Sequence, residues 1–301
     1  MKTLVVVLGP TGVGKTELCL TIAEHLGIDI INADSRQIFA ELPIGTAAPT
    51  QEQQQRVHHH FVGNHHLNDY YSASIYEEEV MALLRDKFER GDVAMLTGGS
   101  MMYIDAVCKG IDDIPTVRDD IRTLIKERLE KEGIEALCSQ LQELDPAYYA
   151  IVDRKNTRRV VHGLEICLQT GKPYSSFRTN TSKPRPFKIV KIGLNRPREE
   201  LYQRINQRVD EMVSMGLLEE MEQLLPYRHC NALNTVGYKE LFEYYDGNYS
   251  LAEAIERIKG NTRRYARKQL TWLKRDENIN WFHPDDTHAI KDFIKHQCNF
   301  Q

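Results

Sequence analysis

The sequence holds no Cys-x-x-Cys pair. Its six cysteines (Cys19, Cys108, Cys138, Cys167, Cys230 and Cys298) stand singly along 301 residues, which excludes a zinc ribbon and suggests no disulfide framework. A reducing compartment is the expected setting. No run approaches the roughly 20 consecutive apolar residues of a membrane-crossing helix, so no membrane association is expected. No export is expected either: Met1-Lys2-Thr3 leads directly into Leu4 to Leu8, too short for an h-region and followed by Gly-Pro rather than a cleavage site. The expected location is the cytoplasm. Nor is there an excess of positive charge. The formal net charge is −4, which confines any nucleic-acid site to a local patch.

What is present is ordinary globular material, 41% hydrophobic and 27% charged, enough for a large core. The length exceeds one typical domain without reaching two, so one main body with an inserted or appended part is expected. Short β-branched and aliphatic runs occur at Leu4 to Leu8, Ile28 to Asn32, Val93 to Thr97 and Phe187 to Leu194. Helical patterns separate the first three, which reads as an α/β fold, a parallel sheet with crossover helices. Between the third and fourth runs, Ile114 to Phe177 is helical throughout, with Ile121, Leu124, Ile125, Leu129, Leu137, Leu141, Leu144, Val160, Leu164 and Leu168 at helical spacing. That is too long for one crossover. We expect an all-helical insertion, entered near Pro115 and left through Gly171-Lys172-Pro173 and the Pro184/Pro186 segment. The expected organisation is a first part of the P-loop core at 1–113, the insertion at 114–183, and core completion with basic C-terminal helices at 184–301. In that last part, Arg198 to Arg275 is helical, broken at Pro226 to Asn234 and at Asp246-Gly247-Asn248.

Gly9-Pro10-Thr11-Gly12-Val13-Gly14-Lys15-Thr16 matches G-x-x-x-x-G-K-[ST] between a strand and a helical pattern. Glycines let backbone N–H groups turn around an anion, the helix N-terminus adds partial positive charge, Lys15 supplies a point charge, and the Thr16 hydroxyl suits magnesium. The expected ligand is a diphosphate or polyphosphate; a ligand-free strand-to-helix turn is the bland alternative. A nucleotide hydrolase usually carries an acid at the end of a second apolar strand. Here the third run ends Leu96-Thr97-Gly98-Gly99-Ser100 without one. The acid is Asp34, at the end of the second run in Asn32-Ala33-Asp34-Ser35-Arg36-Gln37, near the crevice where such sheets bind ligands. Asp34 reads equally as a turn or capping aspartate.

From Ala254 to Arg275 there are eight basic residues against the single acid Glu256. At 100° per residue Arg257, Arg264, Lys268 and Arg275 share one line, and Arg263, Arg267 and Lys274 another. Ile258, Tyr265 and Trp272 form an apolar line on which such a helix packs. Charged faces usually mix signs and this one does not, which favours phosphate-backbone binding over a merely solvated face. His58-His59-His60 and His65-His66 read as solvated or core-satisfied loops, because adjacent histidines point in different directions and make poor metal ligands.

The P-loop, Asp34-Ser35-x-Gln37, Ile44-Gly45-Thr46-Ala47, His65-His66-Leu67, Gly98-Gly99-Ser100-x-x-Tyr103, Val236-Gly237-Tyr238 and Arg264-Tyr265-Ala266-Arg267-Lys268-Gln269-x-Thr271-Trp272 occur in that order. Together they resemble the bacterial tRNA dimethylallyltransferase family over nearly the whole chain. The resemblance implies transfer of a dimethylallyl group from dimethylallyl diphosphate, held by the P-loop with Mg2+, to N6 of the adenosine 3′-adjacent to the anticodon of tRNA. It implies Asp34 as general base, Thr16 assisting at the diphosphate, and Arg208, within Gln203-Arg204-x-x-Gln207-Arg208, on the leaving group. It also implies tRNA contacts from Asp34, Ser35, Arg36, Gln37, Ser100, Arg158, Arg159, His162, Val236, Gly237, Tyr238, Lys239, Arg264 and Lys268. The partners expected are the anticodon stem-loop and the prenyl diphosphate, the protein acting as a monomer. The sequence departs from the family at Ser100, where a threonine is usual, and at His162 in His162-Gly163-Leu164-Glu165, where a phosphate-contacting arginine is usual. Ala48 and Phe39 replace a lysine and a tyrosine. Competing readings are an isopentenyltransferase acting on free adenine nucleotides, a small-molecule P-loop kinase, and a non-enzymatic RNA-binding module.

Overall fold

The computed structural model describes residues 1–179 and 181–298. Its strands are β1 (Thr3–Leu8), β2 (Ile30–Asn32), β3 (His59–His60), β4 (Val93–Thr97), β5 (Lys188–Leu194) and β6 (Ile279–Phe282). They form one sheet in the order β3-β2-β4-β1-β5-β6, each adjacent pair parallel. β1 lies inside this sheet and is buried at every position, as a strand covered on both faces must be.

Two units make up the chain, residues 1–109 with 184–301 and residues 110–183. In the first, the helices are α1 (Lys15–Leu26), α2 (Gln51–Arg56), α3 (Ala73–Arg90) and α4 (Met101–Lys109). The second contains α5 (Asp119–Leu144), broken at Gly133, α6 (Pro146–Ile151) and α7 (Thr157–Thr170). The first unit resumes with α8 (Arg198–Ser214), α9 (Leu217–Leu224), α10 (Tyr238–Tyr245), α11 (Leu251–Leu273) and α12 (Thr287–Cys298).

Side chains alternate across β1, as a period of two requires. Val5 and Val7 meet Leu18, Ile22, Leu201, Ile205, Ile290 and Ile294 on one face. Leu4, Val6 and Leu8 meet Tyr76, Val80, Leu84, Ile104 and Val107 on the other. A third cluster joins the loop around Ile38 and Leu42 to α8 through α11. The helical unit has its own core around Ile125, Leu137, Leu141, Val160 and Leu164. There Asp145, 1% exposed, accepts the Tyr148 N–H, the Ser175 N–H and the Ser175 hydroxyl, tying the start of α6 to the turn after α7.

Several expectations change. The second apolar run becomes strand only at Ile30, because Gly27 caps α1 in the left-handed region and the Ile28 N–H still bonds the Ala23 carbonyl. Where adjacent histidines suggest a loop, β3 is an edge strand in which His59 is buried, its Nδ1 2.8 Å from the Val57 carbonyl, while His60 pairs with Asp29. β6 and the break between α8 and α9 at Met215-Gly216 were not anticipated. Leu124 and Leu144 share the helical spacing yet are 47% and 38% exposed. On α11 the expected packing line holds only at Ile258; Tyr265 and Trp272 are 39% and 42% exposed. The small side chain of Ala266 and the amide of Gln269 form the inward face instead.

Candidate active site

Three loops leave the carboxyl ends of neighbouring strands β2, β4 and β1, the edge at which open α/β sheets bind ligands. The loop after β1 is the P-loop. Gly12 and Gly14 have φ of 81° and 109°, a region side chains resist, and this winds Gly9 to Gly14 into the first turn of α1. Lys15 Nζ donates to the Gly9 and Pro10 carbonyls at 2.9 Å each. Arg196, 9% exposed, braces the loop from outside by donating to the Val13 carbonyl at 2.8 Å, and Arg204 donates to the Gly12 carbonyl at 3.1 Å.

The loop after β2 carries Asp34. Its Oδ1 accepts the N–H groups of Arg36 (2.9 Å) and Gln37 (3.3 Å), so the turn role is real. Its Oδ2 faces the loop after β4, 2.8 Å from where a Cβ on Gly99 would lie, and a Cβ on Gly98 would fall 2.2 Å from the Ala33 carbonyl oxygen. The two glycines therefore let the β4 loop close onto Asp34, and the Ser100 N–H secures it on the Ala33 carbonyl at 3.0 Å. One carboxylate thus shapes its own turn and offers its second oxygen to the site.

Arg208, on α8, reaches the same place, with Nη1 3.4 Å from Thr11 Oγ1 and Nη2 3.3 Å from the Ala47 carbonyl. Loss of water, then the charge of Arg208, lowers the Lys15 amine to about 8, with Asp34 opposing. Loss of water also lowers Arg208, again opposed by Asp34. Two cations crowded against one carboxylate make a site deficient in negative charge. An anion placed there would relieve both. A test follows from the sign. Free Lys15 loses its proton as pH rises through about 8, whereas a bound anion keeps it on, so pyrophosphate binding should take up protons near pH 8.5 and weaken as pH rises. Calorimetry in buffers of different ionisation enthalpy, compared with Lys15→Met to remove the ligand's own titration, should show the uptake; equal uptake by both proteins counts against the assignment.

A protein-family model described as IPP transferase matches residues 37–276, well over half the chain. The chain belongs to this family. It is 59% identical over 297 residues to tRNA dimethylallyltransferase 1 of Bacteroides thetaiotaomicron, covering 99% of this chain and 96% of that one. Over 297 residues it is 60% identical to tRNA dimethylallyltransferase 1 of Phocaeicola vulgatus, covering 99% of each. Its fold matches the crystal structure of the tRNA isopentenylpyrophosphate transferase from Bacillus halodurans with a TM-score of 0.73 at 34% identity, covering 99% and 97% of the two chains. It also matches a eukaryotic dimethylallyltransferase captured acting on tRNA, with a TM-score of 0.76 at 26% identity and coverages of 94% and 74%.

As an IPP transferase, the chain brings Thr11, Lys15, Asp34, Gly99 and Arg208 together, with Thr16 exposed on the first turn of α1. Gln37 donates its amide to the Thr46 and Ala47 carbonyls, anchoring the segment that meets Arg208. One expectation needs correction. Tyr238 is fully buried and donates its hydroxyl to Glu220 at 2.7 Å, while Glu220 accepts the Ile44 and Gly45 N–H groups. Its side chain is a loop support with no surface for RNA. Gly237 is buried beside it, whereas Val236 is half-buried and Lys239 exposed. Ser100 is half-buried; Arg264 and Lys268 are exposed on α11. Arg158 and Arg159 are exposed on α7 in the helical unit, where His162 lies 3.7 Å from Glu165 and edge-on to Tyr174.

In place of the packing role expected of it, Tyr265 has a polar one: its hydroxyl donates to the Gly99 carbonyl at 3.2 Å. Desolvation, then Asp34, pushes that hydroxyl up to about 12. Sequence reasoning assigned no role to Gln269 and Glu220; a polar residue at an inward helical position was the available signal. Among the described residues one group, Glu200, His283 and Asp285, could in principle ligate a metal. Arg196 already lies on both carboxylates, so the cluster neutralises the guanidinium that braces Val13.

Proposed function

We propose that this IPP transferase moves a dimethylallyl group from dimethylallyl diphosphate to N6 of the adenosine 3′-adjacent to the anticodon in tRNA, releasing diphosphate. The observation that carries this is the placement of Lys15 and Arg208, two desolvated cations, around one carboxylate at the P-loop. As the C–O bond to diphosphate breaks, negative charge grows on the leaving oxygens and positive charge on the allyl group. Lys15 and Arg208 stabilise the former in a site with little water. Asp34 Oδ2 takes the amine proton as the C–N bond forms. Thr16, exposed on the first turn of α1, would hold magnesium, a hard ion that prefers oxygen donors, through its hydroxyl. When bound, the ion adds positive charge at the leaving group. All three loops come from one chain, which supports a monomer as the working form.

The acceptor reading draws on α11. Arg264, Arg267 and Lys268 are exposed along it and Lys274 just past its end, with Tyr265 and Trp272 half-exposed between them. Arg257, by contrast, stacks 4.1 Å over the Tyr249 ring, and Lys259 is held by Asp210 and Glu256. The exposed cations together with Arg158, Arg159 and His162 are the residues proposed to grip the RNA backbone. A kinase lacks its strand-end acid here, and a free nucleotide would leave this face with nothing to bind.

The deciding experiment mixes the protein with magnesium, labelled dimethylallyl diphosphate and unmodified tRNA and looks for label in RNA. Affinity for tRNA should fall steeply with salt, as counterion release demands. Reversing Arg264 and Lys268 together to glutamate should weaken binding across different tRNA sequences, flatten that slope and leave the modified base unchanged. AMP should be a poor acceptor. Efficient prenylation of AMP, indifferent to salt and to the double reversal, would overturn the tRNA reading.

A further inference from the structure

Gln269 sits on the inward face of α11 and is 1% exposed. Both ends of its carboxamide bond to backbone far away in sequence. Oε1 accepts the Thr11 N–H and Nε2 donates to the Gly99 carbonyl, each at 2.9 Å. Thr11 belongs to the diphosphate cradle, and Gly99 belongs to the loop resting on Asp34. The place a Gly99 Cβ would occupy is 3.5 Å from Gln269 Nε2 and 2.8 Å from Asp34 Oδ2. One turn earlier on α11, the Tyr265 hydroxyl reaches the same Gly99 carbonyl. A buried amide with its donor and acceptor both engaged holds its partners at fixed separation, since loosening either bond strands a polar group away from water.

We propose that Gln269 is a positioning residue for prenyl transfer, setting the separation between the diphosphate cradle at Thr11 and the Gly99 loop that abuts the general base. This rests on the transfer reading above. In that reaction the amine nitrogen and the allylic carbon form a bond while the carbon–oxygen bond to diphosphate breaks, the electron pair leaves with diphosphate, and the amine proton passes to Asp34. The donor sits on one loop and the base acts beside the other. An error of about 1 Å in such an arrangement costs on the order of 100-fold in rate. Gln269 touches neither substrate in this scheme, so its loss acts on the transfer step and spares the binding of each. The Thr11 N–H also points at Gln269 rather than into the cradle, so diphosphate binding does not depend on it.

Two substitutions separate positioning from simple packing. Gln269→Met keeps length and burial and loses both bonds. Gln269→Glu, when ionised, still accepts from Thr11 but cannot donate to Gly99; once protonated it does both. With labelled dimethylallyl diphosphate and a tRNA transcript, the methionine variant should transfer about 10- to 100-fold more slowly, within the range for a misplaced reacting pair. Its affinities for pyrophosphate and for tRNA should stay within about threefold of wild type, because the cradle's charges and the exposed α11 cations are untouched. For the glutamate variant, the ratio of its rate to the wild-type rate should rise as pH falls. Titration of Asp34 cancels in that ratio. Rates are compared on protein shown to be folded at each pH, so that the cost of a buried charge to folding does not enter the ratio, and a packing role would leave it flat. A folded methionine variant that transfers at the wild-type rate, or a flat ratio for the glutamate variant, overturns the inference. Should the methionine variant not fold, the glutamate ratio decides alone. No transfer by the wild-type protein sinks the underlying reaction assignment; wild-type transfer with unaffected variants sinks only the role of Gln269.

Discussion

Asp34→Asn should fold, bind tRNA with wild-type affinity and turn over roughly 100- to 10,000-fold more slowly, the range for loss of a positioned general base. The structure makes this a clean substitution. Asp34 Oδ1 organises the turn by accepting the Arg36 and Gln37 N–H groups, and an asparagine carbonyl does the same, since both residues support this turn. What asparagine lacks is the capacity of Oδ2 to take a proton beside Gly99. It also removes a carboxylate that opposes the lowering of both Lys15 and Arg208. The Lys15 amine should therefore lose its proton at a lower pH in the variant. Single-turnover transfer at saturating tRNA measures the first effect, and the pH dependence of pyrophosphate binding the second. Near-normal transfer by the purified variant would remove Asp34 from the chemistry and leave it a turn residue.

The α/β fold was legible because its evidence is local. β1 reads as an uninterrupted apolar run, and the P-loop residues that shape the cradle are contiguous between it and α1. β3 and β6 were not legible: each is short, lies at a sheet edge, and carries polar or exposed positions, so neither period nor composition marks it. Asp34 was legible as a strand-end acid, but its double use was not, because the Gly99 loop that receives Oδ2 comes from β4. Gln269 shows the same limit more sharply, since its partners lie 258 and 170 positions away. In sequence it is one polar residue in a basic helix. Tyr238 failed in the other direction. It lies in a motif that suggested RNA contact, and only its burial against Glu220 reveals a support for the 44–47 segment.

Arg208→Ala and Lys15→Ala should each lower transfer by roughly 100- to 1,000-fold, the cost of removing one preorganised donor to a developing anion, while leaving tRNA affinity unchanged. What distinguishes these positions from structural ones is the stability that should accompany the loss. In the ligand-free protein Arg208 is the second largest cause lowering Lys15, after burial, so the two charges oppose each other at rest. Removing Arg208 should move the Lys15 pKa upward and should not lower the melting temperature of the ligand-free protein. Because Lys15 is lowered on folding, the unfolded chain binds the extra proton between pH 8 and 10.5, and the ligand-free protein gains stability from this group as pH rises through that window. Arg208→Ala should reduce that gain, and saturating pyrophosphate should reduce it in the wild type, since each raises the folded-state pKa. The two substitutions should not be additive in rate, because both groups act on one leaving diphosphate. Arg208→Lys keeps the charge but loses the planar fork that spans Thr11 and Ala47, and should recover only part of the rate. An Arg208→Ala protein that melts well below wild type while its residual transfer is undiminished would make Arg208 a brace for the 44–47 segment and place the leaving-group charge elsewhere.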